Sequence, residues 1–247
     1  MMRWMFLLAA LLLTAACDTG GLLSTSEMDP HDQARINSFV EVIQKVEPVA
    51  ETECVAFGLA HNCNFQIQVD TNPEEPPNAF QSLDRKDRPV ITFTMTLIET
   101  TQNNDELAFV LAHETSHHIL GHLARQAKNA EAGAQILGQM ATLDGANPVT
   151  IARARQIGAE LGARSFSKEY ELEADHLGTI IAYEAGFDPL KGAAYFDRLP
   201  DPGDQFLGSH PPNAARKKIV LQTMRDIRAA VASGQPITLG TLAGAGG

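Results

Sequence analysis

Two histidines and a glutamate in the middle of the chain have types and spacing that suit metal-assisted hydrolysis. His113, Glu114 and His117 form the pattern H-E-x-x-H. On an α-helix, residues four apart lie on one face, about 6 Å apart along the axis, so both imidazoles could bind one metal ion. The Glu114 carboxylate could then reach a metal-bound water and act as a general base. Two core histidines beside an unrelated glutamate would give the same letters, so the pattern needs a third ligand.

The segment that must position these residues, 103–126, has the features of an α-helix. Asn103 followed by Glu106 resembles a capping box, and Asp105 adds negative charge to the first turn, where the helix dipole favours it. Apolar residues recur at helical spacing: Leu107, Val110, Leu111, Leu120 and Leu123. Because histidine and glutamate are costly to bury in an apolar helix without partners, a bound metal would account for their position.

A second acidic segment, KEYELEADHLG, could complete the site. Glu171 and Asp175 lie four residues apart, which places both carboxylates on one helix face. This spacing suits Glu171 as the third metal ligand and Asp175 as the group that orients a ligand imidazole. Glu169 and Glu173 are the competing ligands, and Glu173 is followed four residues later by Leu177 rather than by an acid.

The remaining histidines have weaker functional claims. His118 lies about 100° around the predicted helix from the second ligand, and His122 points further away from the metal-binding face. His176 is expected on the surface or in the core. His31 and His61 lie in no pattern that indicates a function.

The order of these motifs resembles a known family of metalloproteases. H-E-x-x-H followed 54 residues later by E-x-x-A-D is similar to the gluzincins. It is most similar to the family of the CAAX prenyl protease, the HtpX heat-shock protease and the BepA- and Oma-type quality-control proteases. Further matches are Asn78-Ala79-Phe80, Asp105-Glu106-Leu107-Ala108, Gly121-His122, and His210-Pro211 with Arg216. Because the transmembrane helices and helical repeats of some branches have no counterpart, we expect the small single-domain lipoprotein branch.

The resemblance implies an α+β fold: a mainly helical, zincin-like metalloprotease domain with a small antiparallel sheet flanking the active-site helix. It also implies one Zn²⁺ per chain, which suits two neutral imidazoles and a carboxylate. In this family the residue matching His210 is a second catalytic group besides Glu114 and donates to the oxyanion, with Arg216 holding its turn. In BepA-like relatives the matching histidine can instead reach the metal and block it, so both roles stay open.

These features predict a zinc-dependent metalloendopeptidase of the bacterial cell envelope that degrades misfolded or misassembled exported polypeptides. No anchor for a free chain terminus is apparent, which favours an endopeptidase over an exopeptidase with the same ligands. The competing hypothesis is a non-enzymatic chaperone or assembly lipoprotein on a protease scaffold. Such a protein would no longer require Glu114, so the intact H-E-x-x-H pattern argues for an enzyme. The sequence does not indicate an oligomeric state.

The N-terminus has the pattern of an export signal. Residues 1–16 contain one basic residue, an apolar run too short to cross a bilayer, and two alanines before Cys17. Small residues before a cysteine resemble the lipobox of bacterial lipoproteins, which implies lipidation of Cys17 and a periplasm-facing anchor in the outer or inner membrane. An ordinary signal peptide is the alternative. We expect a signal peptide at 1–16, a lipidated tether at 17–28, the peptidase domain at 29–232 and a flexible tail at 233–247.

The remaining cysteines and the net charge restrict the partners. Cys54 and Cys63 form an even pair in an exported chain, which favours a disulfide over two free thiols. The chain has 30 acidic and 19 basic residues and a net charge of −11. This charge argues against nucleic-acid binding, and it assigns membrane attachment to the lipid rather than to a basic patch.

Apolar periodicity and turn residues predict the other elements. The segment 90–98, VITFTMTLI, is the clearest strand, and an exposed edge there could pair with an extended peptide unless both edges are already paired. Before this strand we expect a first helix ending near Pro48, a strand at 65–70 and an extended piece at 78–80. Residues 127–162 should form one or two helices that break at 144–148, and these are either a mobile flap or poorly packed. The last predicted elements are a helix over 167–185 closed by Gly186, a turn at 210–212 and a helix over 214–232.

Overall fold

The computed structural model describes residues 30–59, 62–205, 207–208 and 210–237. The described residues form eight α-helices, one 3-10 helix and three strands, in the order α1 (Pro30–Phe57), β1 (Gln66–Asp70), β2 (Ala79–Leu83), β3 (Pro89–Thr94), α2 (Met95–Thr100), α3 (Asn104–Ile119), α4 (His122–Leu143), α5 (Pro148–Arg164), α6 (Ser167–Glu184), α7 (Pro189–Gly192), the 3-10 helix (Ala193–Arg198) and α8 (Asn213–Ala232). The predicted mainly helical α+β fold is confirmed. The predicted signal peptide, Cys17, the tether and residues 238–247 of the tail lie outside the described residues.

The three strands form a mixed sheet in the order β1-β3-β2. β3 pairs in parallel with β1, where Ile67 lies opposite Ile91, and antiparallel with β2, where Phe80 lies opposite Thr92. The chain reverses direction between β1 and β2 and again between β2 and β3, so β1 and β3 run the same way. The expected antiparallel pairing therefore holds for one of the two strand pairs. β3 is buried along its whole length, and β2 is an edge strand of the described sheet.

β3 is shorter than the sequence predicts because its last threonine begins a helix. The alternation over 90–98 predicts a strand to Ile98, but β3 ends at Thr94 and α2 follows directly. Leu97 N donates a hydrogen bond of 3.3 Å to the Thr94 hydroxyl, which caps α2. Leu97 and Ile98 are then both buried, although alternation assigns them to opposite faces.

The first helix continues through Pro48, where the sequence predicts its end. Four residues on one face, before and after the proline, are completely buried: Val42, Val46, Ala50 and Cys54. A disulfide joins Cys54 near the end of the helix to Cys63, with the two Cα atoms 5.7 Å apart. The continuous apolar face therefore offsets the cost of a proline inside the helix, which is about 3 kcal/mol.

The predicted helix over 103–126 is two helices with a sharp turn between them. α3 ends at Ile119, and Gly121 adopts a φ of 66° in the left-handed region, which glycine occupies without steric cost. α4 then begins at His122 in a new direction. At the other end of α3, the side chain of Asn103 accepts a hydrogen bond from Glu106 N at 3.0 Å, so the predicted N-cap is confirmed.

α3 lies at the centre of the fold, with α1, α6, α7 and the sheet packed against it. The closest approach of α6 is at Gly178, where an added Cβ would lie 3.0 Å from His113 N and 3.1 Å from His113 Cα. A larger residue would push the two helices apart, so this glycine sets their spacing at the predicted ligand.

α4 and α5 form a closely packed hairpin, with the break that the sequence predicts. Asn147 caps α5 by accepting a hydrogen bond from Thr150 N at 3.0 Å. An added Cβ on Gly158 would lie 2.1 Å from Gly133 O, and one on Gly162 would lie 2.0 Å from the Asn129 carbonyl oxygen. The two helices therefore meet backbone to backbone along a seam of glycines and are not loosely packed.

The predicted helix that carries the second acidic segment is confirmed as α6. Gly186 follows its end with a φ of 86°, as expected for a C-terminal glycine cap. Of the helices within the described residues, none has the length and apolar character needed to cross a bilayer.

Candidate metal centre

The crossing of α3 and α6 brings three potential metal ligands together. His113 and His117 lie one turn apart on α3, and Glu171 faces them from the first turns of α6. One side-chain atom from each residue lies within 4.8 Å of the other two. Of the competing carboxylates, Glu169 is exposed and Glu173 is engaged elsewhere, so Glu171 is the acid that the fold places at the pair of imidazoles.

The separations between these atoms fit one small divalent cation. His113 Nε2 lies 3.1 Å from His117 Nε2 and 3.5 Å from Glu171 Oε2, and His117 Nε2 lies 3.4 Å from Glu171 Oε1. A tetrahedral metal with bonds of about 2.1 Å separates its ligands by roughly 3.4 Å, so the three residues could close around such an ion with little movement. Two histidines and a carboxylate are also the donor set of open, catalytic zinc sites.

Glu114 is positioned beside this cluster at the bottom of a cleft. The cleft has a volume of about 530 Å³, and Glu114 lines it together with His113 and His117. Glu114 is nearly buried, with 9% of its surface exposed. Burial raises the pKa of its carboxyl group, against the lowering effect of the nearby histidines. A carboxylate with a raised pKa is a better proton acceptor.

Asp175 contacts His113, the first candidate ligand, at its Nδ1 atom. Its Oδ1 lies 3.0 Å from His113 Nδ1, and the carboxylate is completely buried. Arg216 on α8 donates two hydrogen bonds to Asp175, from Nε at 2.8 Å and from Nη2 at 2.7 Å. Burial alone would raise the pKa of Asp175, but the charge and hydrogen bonds of Arg216 lower it below its usual value. The ionised carboxylate can then accept the His113 Nδ1–H and leave Nε2 free for a metal.

The carboxylates of Asp175 and Glu171 make His113 more basic. Burial and the charge of Arg216 oppose its protonation, but hydrogen bonds with Asp175 and Glu171 outweigh them and raise the pKa of His113 to about 9. A cation that binds here must therefore displace a proton at neutral pH.

His122 is the functional residue that the sequence analysis missed. Its Nδ1 lies 2.8 Å from His117 Nδ1, and its Nε2 lies 3.1 Å from Glu173 Oε2. The ring stacks on Tyr170 with centroids 4.7 Å apart, and Arg125 donates to both oxygens of Glu173. Burial lowers the pKa of His122, so its neutral ring can accept the His117 Nδ1–H and donate its own Nε2–H to Glu173.

The prediction that His122 points away from the site was wrong because it assumed one unbroken helix. Gly121 turns the chain between α3 and α4, and this turn brings His122 to the second ligand. The dipeptide Gly121-His122 directly after the helix was the only feature of the sequence that could have indicated it. The other two histidines have structural partners: His118 Nε2 contacts Asn62 O at 2.7 Å, and His176 Nδ1 contacts Thr223 Oγ1 at 2.7 Å.

His210 lies on the turn before α8 and contacts the proposed ligand carboxylate. Its Nδ1 is 3.0 Å from Glu171 Oε2, and its side chain is 56% exposed at the mouth of the cleft. The side chain of Arg216 binds Asp175 and also lies 3.5 Å from Glu171 Oε2, the oxygen that His210 contacts. Asn213 ties the start of α8, since its Nδ2 donates to Phe196 O and Leu199 O.

The cleft is bordered by the edge strand on one side and by the 3-10 helix on the other. Ala79, Phe80 and Gln81 of β2 line it, and Tyr195 and Phe196 lie opposite. Among the described strands, β2 pairs only with β3, so no described strand occupies its other edge.

Comparison with known proteins identifies one family over most of the chain, including the candidate metal centre. Residues 38–223 match the model of Peptidase family M48. The beta-barrel assembly-enhancing protease of Yersinia pestis is 33% identical over 112 residues, which are 42% of this chain and 23% of that protein. The protein of the same name from Escherichia coli strain K12 is 32% identical over 121 residues, which are 42% of this chain and 23% of that protein.

A mitochondrial relative matches over a longer stretch. The metalloendopeptidase OMA1 of Saccharomyces cerevisiae is 26% identical over 193 residues, which are 73% of this chain and 52% of that protein. The chain therefore spans between about a quarter and about half of the length of these relatives.

Proposed function

The chain belongs to peptidase family M48 and is a metallopeptidase; on that premise we propose that it is a zinc-dependent endopeptidase whose metal is held by His113, His117 and Glu171. The observation that carries the proposal is the 3.1–3.5 Å spacing of these three donors beside the buried carboxyl group of Glu114. A non-enzymatic scaffold protein would have no need of this combination, which argues against the chaperone hypothesis.

The residues around the site have distinct roles in the proposed reaction. Zinc bound here would supply a Lewis acid that polarises the substrate carbonyl and acidifies a water molecule. Glu114 takes the proton from the attacking water and delivers it to the leaving amine. Asp175 and His122 each hold the Nδ1 of one ligand histidine, so both Nε2 atoms face the metal.

His210 has two proposed roles, which would change the rate of substrate cleavage in opposite directions. In its present contact with Glu171 it would restrain a ligand carboxylate and cover the cleft, which corresponds to a blocked resting state. Its exposed position on a turn would also let it swing towards a substrate carbonyl and donate to the oxyanion. The first role predicts faster cleavage when His210 is removed, and the second predicts slower cleavage.

We propose that the substrate is an extended or unfolded polypeptide. The general base lies at the bottom of a cleft of about 530 Å³, which admits a chain segment but not a folded domain. A segment in this cleft could pair with the edge of β2 that no described strand occupies, and the exposed Phe80 would contact its side chains. Exported proteins that are misfolded or misassembled expose such segments. The bacterial relatives are named for enhancing beta-barrel assembly, which agrees with substrates of this kind.

The proposed location is the periplasmic side of the bacterial envelope. The proposal rests on the pattern of residues 1–16 as a signal peptide and of Cys17 as a lipid attachment site in the outer or inner membrane. Residues 17–28 would then be the tether, 29–232 the peptidase domain and 233–247 the flexible tail. Mass spectrometry of the mature protein tests the lipid directly, because an unmodified or absent Cys17 would contradict it.

The proposed activity is tested by replacing the general base while the metal site is kept. Glu114→Gln should retain one zinc per chain by atomic emission and lose casein cleavage by about 10²–10⁴-fold, because an amide cannot take the proton. The matched control is Glu99→Gln, an exposed glutamate on α2. If Glu114→Gln cleaves casein as fast as the control, Glu114 is not the base.

A further inference from the structure

The α4–α5 hairpin exposes a stripe of large apolar side chains. On α4 the stripe follows helical spacing, with Ile136 58%, Met140 55% and Leu143 79% exposed. On α5 it continues with Ile157 44% and Leu161 42% exposed. Exposed apolar side chains are common singly, but five at regular spacing on one hairpin indicate a surface that is covered in use.

Both halves of the stripe lie on one side of the hairpin. The glycine seam fixes the inner face of each helix, with Gly133 of α4 against Gly158 of α5. At about 100° per residue, the stripe lies roughly 20–80° from Gly133 on α4 and roughly 60–100° from Gly158 on α5, in the same rotational sense. Because the helices are antiparallel, equal rotations bring both stripes to the same side. We call the surface formed by Ile136, Met140, Leu143, Ile157 and Leu161 the apolar face of the hairpin.

Basic side chains outnumber acidic ones on the hairpin that carries this face. Arg153 and Arg164 are exposed and flank the α5 part of the stripe, four residues before Ile157 and three after Leu161. By the same rotation of about 100° per residue, Glu131 projects on the opposite side of α4, whereas Glu160 lies on the same side of α5 as the two arginines. Residues 122–164 contain five basic and three acidic side chains, whereas the whole chain has a net charge of −11.

An apolar stripe edged by arginines fits an anionic lipid surface. Amphipathic helices of this pattern lie in the membrane interface, with apolar side chains at the acyl boundary and basic groups on lipid phosphates. We propose that the apolar face of the α4–α5 hairpin binds the surface of an anionic bilayer. The acidic charge of the whole chain does not decide this contact, because basic side chains outnumber acidic ones five to three on the hairpin itself.

This contact has a consequence for the site. α4 begins at His122, which lines the cleft, so a hairpin lying on a bilayer places the cleft within a few turns of helix from the membrane surface. The surface would therefore select substrates at the membrane. The inference stands independently of the peptidase activity, since it rests on the hairpin alone.

The test places a fluorophore on the face and compares it with an equally exposed apolar position outside it. Met140→Cys and, as the control, Val149→Cys are made in the full chain, labelled with an environment-sensitive dye and added to vesicles. Val149 is 79% exposed and lies about 100° around α5 from the centre of the stripe. Because the comparison is between two positions, attachment through a lipid on Cys17 affects both labels equally.

The dye at position 140 is expected to shift to the blue and become accessible to quenchers in the acyl region on vesicles with phosphatidylglycerol. The dye at 149 should stay in water. Adding Arg153→Gln and Arg164→Gln should weaken this binding about thirtyfold, roughly fivefold per basic side chain. Equal responses at 140 and 149, an equal response on purely zwitterionic vesicles, or a shift at 140 that grows with protein concentration without lipid would each overturn the proposal. The last result would assign the face to a second copy of the chain.

Discussion

Replacement of His122 tests whether the metal site extends beyond its three proposed ligands. His122 Nδ1 lies 2.8 Å from Nδ1 of His117, the second proposed ligand histidine, and its Nε2 lies 3.1 Å from Glu173 Oε2. His122→Ala removes the acceptor for the His117 Nδ1–H and leaves that ring free to rotate. The three proposed ligands and Glu114 remain, so a loss of metal affinity would show that His122 acts by orienting the His117 ring.

The expected loss follows from the contacts that disappear. Outer partners of ligand histidines contribute about 10–100-fold in metal affinity, which is roughly 1.4–2.7 kcal/mol. The ring of His122 is only 4% exposed and stacks on Tyr170, which restricts compensating movement, so we expect the upper half of this range. Glu173→Gln should cost less, because its side chain is 42% exposed and water can replace it.

The assay is a competition between the protein and a chromogenic chelator for zinc, with urea unfolding measured in parallel. His122→Gln, whose amide can also accept a hydrogen bond, should recover part of the affinity. His176→Ala is the matched control, because it removes a histidine that contacts Thr223 outside the site. Equal zinc affinity for His122→Ala and wild type would refute the positioning role. An equal loss in His176→Ala would show that the effect is only one of stability.

Four other perturbations probe the same centre. Asp175→Asn should weaken zinc binding about 10–100-fold, because a neutral amide holds the His113 Nδ1–H less strongly and removes the nearer negative charge from Arg216; the chelator assay measures it. His210→Ala should speed casein cleavage by releasing Glu171, whereas a fall in kcat at constant KM would assign His210 to the oxyanion. Zinc affinity should rise about tenfold per pH unit from pH 6.5 to 8.5 in calorimetric titrations, since a proton must leave His113 below its pKa of about 9; a flat profile contradicts this. In the zinc-free protein the same proton stabilises the fold below about pH 6.5, and the contribution is lost as the pH rises through about 9, which urea unfolding can follow. Gly178→Ala should destabilise the fold by about 1–3 kcal/mol in urea unfolding, because its Cβ meets the His113 backbone at 3.0 Å; a neutral effect would mean that the helices can separate freely.

The parts of the site that depend on local helix periodicity could be predicted from the sequence. The i, i+4 spacing of His113 and His117, and that of Glu171 and Asp175, holds in α3 and α6 because each pair lies within one continuous helix. The choice of Glu171 over Glu173 also follows from helix geometry, because the face of α6 that carries Glu171 is the one packed on α3.

The parts that depend on a break or on distant packing could not be predicted in this way. The turn at Gly121 redirects the chain by a single left-handed residue, so the angular argument against His122 no longer applied beyond it. Pro48 stays inside a helix because the buried face on both sides outweighs its local preference. Thr94 alternates like a strand residue but caps a helix, and this choice depends on the partner that its hydroxyl finds.

α6 links the two halves of the proposed centre. It supplies the ligand carboxylate, the Asp175 that holds His113, and the Glu173 that holds His117 through His122. A displacement of α6 along its axis by one residue, about 1.5 Å, would spoil all three contacts together. Because these hydrogen bonds form within the folded protein, the cost of ordering the ligands is met mainly by helix packing. A metal would then bind donor atoms that already lie 3.1–3.5 Å apart, and its affinity would depend on the α3–α6 spacing set at Gly178.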